Sequence, residues 1–115
     1  MRNEILELSF EFALDIIEFA ELLEEKRKFV VANQILKSGT SIGASVREAQ
    51  NCESSADFIH KLKIAAKEAD ETEYWLLLCE KSRNYPHNPE LQNKILSIKK
   101  LLSSIISKMK SKKQY

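Results

Sequence analysis

Turn-forming residues are scarce in this chain: 115 residues hold two glycines and two prolines. A β-rich domain needs many more of them at its hairpins, and a disordered chain would lack the 43% hydrophobic content found here. The shortage therefore favours an all-α protein before any periodicity is considered. The two cysteines, Cys52 and Cys79, match no metal-ligand spacing, and a chain able to bury its own core has little need of a disulfide. No apolar run reaches the roughly 18 residues of a membrane-spanning helix. The opening MRNEILELSFEFALD carries carboxylates where a secretory signal would be basic. These absences lead us to expect a cytoplasmic protein of one domain, residues 1–115, with no membrane partner.

What is present is helical periodicity. Ile5, Leu8, Phe12, Ile16, Phe19 and Leu23 recur at steps of three and four, and Leu6, Phe10, Ala13, Ile17 and Ala20 form a second such line. Asn3 is placed to cap this wide-faced helix, about residues 4–25. A sign change through Glu24, Glu25, Lys26, Arg27 and Lys28 marks a turn. A second helix, about 28–50, turns Val31, Ile35, Ile42, Val46 and Ala49 inward, with Asn51 as a left-handed stop. Ser54 and Asp57 have the form of a capping box for a third helix, about 55–83, whose seam runs Phe58, Leu62, Ala65, Ala69, Thr72, Leu76 and Cys79. Asn88 and Pro89 read as N-cap and first residue of a fourth helix, about 89–110. In it Leu91, Ile95, Ile98, Leu102, Ile105 and Met109 alternate steps of four and three. Residues 111–115 read as a frayed basic tail. Four helices with short connections predict an antiparallel up-down-up-down bundle.

Both glycines, Gly39 and Gly43, fall inside the second helix, in KSGTSIGASVREAQ, where each costs about 1 kcal/mol against alanine. A phosphate-cradling loop would need a preceding strand and a lysine after the second glycine, and neither is there. Close helix packing is the remaining explanation, with Ala65 and Ala69 of the third helix as the expected thin surface opposite Gly39 and Gly43.

The strings QILKSGTSIGASVREAQ and SSADFIHKLKIAAKEADETEYWLLL closely resemble a bacterial four-helix-bundle family, some of whose members are encoded in intervening sequences of large-subunit ribosomal RNA genes. The resemblance covers about residues 5–108. It includes the small-residue run, Arg47-Glu48-Ala49, Asp57-Phe58 and Glu73-Tyr74-Trp75 in order. It implies homopentameric assembly, no catalytic residues and no cofactor. The ribosomal label reflects gene location more than membership of the ribosome. A related branch, the accessory variability proteins of diversity-generating retroelements, contacts nucleic acid and a reverse transcriptase, but is more basic than this chain.

Chemistry-bearing residues are few. Asp57 and His60 stand one turn apart, like half of a di-metal carboxylate site, but the second acid-x-x-His that such bundles require does not occur. Arg83 and His87, in RNYPH, resemble the Arg-and-His pair of helical ribonucleases at a spacing one residue short. Both fit simpler roles, as a helix C-terminal cation and a loop residue. Charge is more informative. Residues 1–25 carry eight acids and one base, whereas residues 84–115 carry seven bases and one acid. Pairing between the first and fourth helices would cancel part of this asymmetry. The remainder makes Lys108, Lys110, Lys112 and Lys113 candidates for backbone contact with RNA or DNA. Trp75, Tyr74 and Phe10 widen the apolar surface beyond one stripe and are candidates for a subunit interface. The expectation is a non-enzymatic oligomeric scaffold or adaptor, with itself as partner and room for an unidentified protein. The alternative is a nucleic-acid-binding accessory protein.

Overall fold

The computed structural model describes residues 3–113. Four helices follow in order: α1 (Glu4–Glu25), α2 (Phe29–Ala49), α3 (Ser55–Lys81) and α4 (Pro89–Lys113). The last continues to Lys113 instead of ending near residue 110. Nothing in SKK breaks a helix, and lysines suit the C-terminal dipole. Each helix packs on its sequence neighbours and α4 closes back on α1, while the backbones of diagonal pairs stay apart among the described residues and meet only through the shared core. The result is an antiparallel four-helix bundle, 53 Å long and just over 20 Å across.

Three helix starts are capped as their sequences imply, and α2 follows Lys28 without a side-chain cap. The Asn3 side chain accepts the Leu6 N–H, Ser54 accepts the Asp57 N–H, and Asn88 accepts the Leu91 N–H just ahead of Pro89. The stops are different. Asn51 is not left-handed; among the described residues positive φ occurs at Arg27 and Asn84, both at 63°. Around Arg27, the Lys28 N–H reaches back to the Leu23 carbonyl at 2.8 Å and the Arg27 N–H to Glu24 at 2.9 Å. That is the Schellman arrangement, here built without glycine. It bends the chain within three residues and sets α1 and α2 side by side.

The interior is made of Phe12, Ile16, Leu23, Ile35, Ile42, Leu62, Leu76, Leu91, Ile95, Ile98 and Leu102, all fully buried. Each contributes roughly 1.5–3 kcal/mol of burial. Two inward assignments shift. Ile59 is buried where Phe58 is only partly covered, and Ala32 is buried where Val31 is partly covered. In both cases the bulkier neighbour sits near a helix start, where fewer helices surround it.

The largest revision concerns the glycines. Their bare faces open onto α1 and not onto the alanines of α3. A Cβ on Gly39 would lie 2.8 Å from Ile16 Cγ2, and one on Gly43 would lie 3.2 Å from the Ser9 carbonyl oxygen. Ala65 and Ala69 are buried on the other side of the core. On that side α2 meets α3 through a polar contact: the Ser38 and Thr72 hydroxyls are 2.9 Å apart, both fully buried. Thr72 is also 2.8 Å from the Glu68 carbonyl. A hydroxyl has one proton, so with Thr72 donating to Glu68, Ser38 donates to Thr72.

Candidate interaction surfaces

Two stretches of apolar surface stand in water along the bundle, besides Leu22, Phe29 and Val30 around the α1–α2 turn. The first lies on the α1/α2 edge, where Phe10 is 54% exposed and Leu14 50%, with Ile17 beside them. They occur because α1 carries two apolar lines and the bundle covers only one and a half of them. Between Phe10 and α2 runs a groove of about 280 Å³ lined by Leu6, Ala13, Thr40, Gly43, Ala44 and Arg47. Its floor is shallow-chained for the same reason that the crossing is tight: small residues continue outward from Gly43.

The second surface lies on the α3/α4 edge. Tyr74 is 55% exposed and Leu77 47%, and Leu96 of α4 adjoins them. Asp70 and Glu73 border this patch, and Lys99 holds both, at 2.8 and 2.7 Å. Those two carboxylates, Asp70 first, keep the Lys99 ammonium above its ordinary pKa. Trp75 is partly buried against the core, its indole N–H donating to Glu71 at 3.1 Å. Its ring meets Tyr74 edge-on with centroids 5.4 Å apart. Of the three aromatic candidates, Phe10 and Tyr74 are therefore exposed on opposite edges, and the fold does not bring them together.

The charge asymmetry is partly resolved across the α1/α4 seam, where Lys94 pairs with Asp15. At the other end of α4, Lys108, Lys110 and Lys112 are exposed. The Lys113 side chain lies outside the described residues. Lys110 faces Lys63 of α3 closely enough to push the Lys63 ammonium below its ordinary pKa. Sequence reasoning missed Lys63, which becomes visible only once the fold aligns the start of α3 with the end of α4.

The remaining chemical candidates do not converge. His60, Asp57, Arg83 and His87 are all exposed. No group of three His, Cys, Asp or Glu side chains gathers around one point among the described residues. Cys79 is buried, and burial pushes its thiol up to about 11. No described helix is long and apolar enough to cross a membrane.

A family model described as 23S rRNA-intervening sequence protein matches residues 1–104. A crystal structure of a protein of unknown function from the S23 ribosomal protein family of Bacteroides thetaiotaomicron superposes with a TM-score of 0.84 at 47% identity. The match covers 89% of this chain and 97% of that one. No curated protein matches the chain.

Proposed function

We propose, from the premise that the chain belongs to the 23S rRNA-intervening sequence protein family, that it is a non-enzymatic helical scaffold that assembles with copies of itself. The observation that carries this reading is the pair of exposed apolar edges, around Phe10 and around Tyr74. A monomer gains nothing by leaving such residues in water, whereas an assembly buries them. The count of five subunits follows from the family resemblance drawn in the sequence. Sedimentation equilibrium at micromolar concentration should give five times the 13.3 kDa chain mass. A stable monomer overturns the reading.

A second reading is favoured by one observation: the Lys63 and Lys110 side chains approach each other across α3 and α4 despite their like charge, and Lys108 and Lys112 are exposed on the same last turns of α4. An anion placed between them relieves that repulsion, and a nucleic-acid backbone supplies one. A titration of RNA and of DNA oligonucleotides across a salt series should show log affinity falling by about 0.9 per neutralised phosphate on duplex DNA. No binding at low salt removes this reading and leaves the first intact.

A further inference from the structure

Resting on the self-association reading, we infer that the two apolar edges are the two halves of one head-to-tail interface: the α1/α2 groove of one protomer receives the α3/α4 edge of the next. Position and charge support this pairing over a symmetric one, and shape is compatible with it.

The first is position. The edges lie on opposite sides of the bundle, since α1 and α2 form one side and α3 and α4 the other. A two-fold contact through either edge covers that edge and leaves its counterpart in water. A heterologous contact covers both with a single kind of interface.

The second is shape. The groove is floored by Ala13, Thr40, Gly43 and Ala44, all short side chains. The opposite edge offers an exposed tyrosine ring and leucine, Tyr74 and Leu77, on the rim of a groove of its own of about 310 Å³ that Gln92 and Leu96 help to line. Each edge thus carries an exposed aromatic beside a groove, so Tyr74 can enter the α1/α2 groove while Phe10 of the same interface lies against the α3/α4 one.

The third is charge. Arg47 lines the groove, is exposed, and makes no ion pair among the described residues. Asp70, whose side chain is 66% exposed, borders Tyr74 and Leu77 on the opposite edge with Glu73, and the single Lys99 that holds both leaves this edge one negative charge in excess. The pairing places a cation against an acid-bordered patch, which fixes orientation.

The test is complementation. Ala44→Glu fills the groove and sets a carboxylate against Asp70; Leu77→Glu charges the edge. Both positions are exposed, and circular dichroism checks that each variant stays helical. Each variant alone should sediment at 13.3 kDa. An equimolar mixture should form a species of twice that mass, because one variant keeps an intact edge and the other an intact groove. Phe10→Asp and Tyr74→Asp repeat the experiment at independent positions. An oligomeric wild type whose two variants remain monomeric on mixing, or either variant assembling like wild type, overturns the pairing while the scaffold reading survives. A monomeric wild type overturns both.

Discussion

The two seams that flank α1 are built in opposite ways. Toward α2 the backbones come together because atoms are missing: Gly39 accommodates Ile16 and Gly43 accommodates the Ser9 backbone. Toward α4 contact is sparser, and the seam is bordered by grooves lined with Glu11, Asp15, Glu18 and Lys94 over the floor of Phe12, Phe19, Leu91 and Ile98. Side-chain bulk sets helix separation, so one helix can sit close to one neighbour and stand off from the other. Specificity of packing is concentrated on the side with the small residues, and the other side is held by apolar bulk and surface charge.

The comparison is broken most directly at Gly39. Gly39→Val inserts carbon where Ile16 is fully buried and, being β-branched, has little freedom to move. We expect a loss of roughly 2–3 kcal/mol from overpacking. Urea unfolding at fixed protein concentration measures it, since self-association would make the midpoint concentration-dependent. Adding Ile16→Ala to Gly39→Val should recover part of the loss; strict additivity would show that the two residues do not share the space. A wild-type midpoint for Gly39→Val would refute the close crossing.

The polar contact between α2 and α3 gives the next effect. Thr72→Val leaves the buried Ser38 hydroxyl without its acceptor, at a cost of about 1–3 kcal/mol. The double variant Ser38→Ala with Thr72→Val should be more stable than Thr72→Val alone, because no polar group is then stranded. The smallest effect belongs to the α4 side. Lys94→Met should change stability by no more than about 1 kcal/mol, since its pair with Asp15 is substantially exposed. The hydrogen bond to Asp15 raises the Lys94 pKa. Whatever stability the pair contributes is therefore complete below a pH of about 10.4 and is lost as pH climbs through the raised folded-state value. A pH series of melts on wild type and Lys94→Met checks the direction.

Much of the fold was legible in the sequence because the seam residues Ile98, Leu102, Ile35 and Ile16 obey one period and end up in one core. The partner of the glycines was not, since α1 has two apolar lines and periodicity does not say which neighbour each line meets. A signal was present nonetheless. Ser9 and Ala13 make a thin stretch on α1 that lies against Gly43, whereas Gly39 receives the bulk of Ile16. The stops were misread for a related reason: Asn51 looks suited to a left-handed residue, yet that geometry falls to Asn84 and to an arginine. The exposed edges were half legible, through Phe10 and Tyr74. Leu77, Leu96 and Lys63 gain meaning only from helix alignment.

The turn at Arg27 carries one more consequence. The next residue, Lys28, places its ammonium 4.8 Å from the centre of the Tyr85 ring, in the connection between α3 and α4. Covalent chain through residues 50–54 already joins the two hairpins at the end where α1 begins and α4 finishes. The lysine and the tyrosine clasp them at the other, so the pair of hairpins is fastened at both extremities, once by peptide bonds and once by a cation resting on an aromatic face.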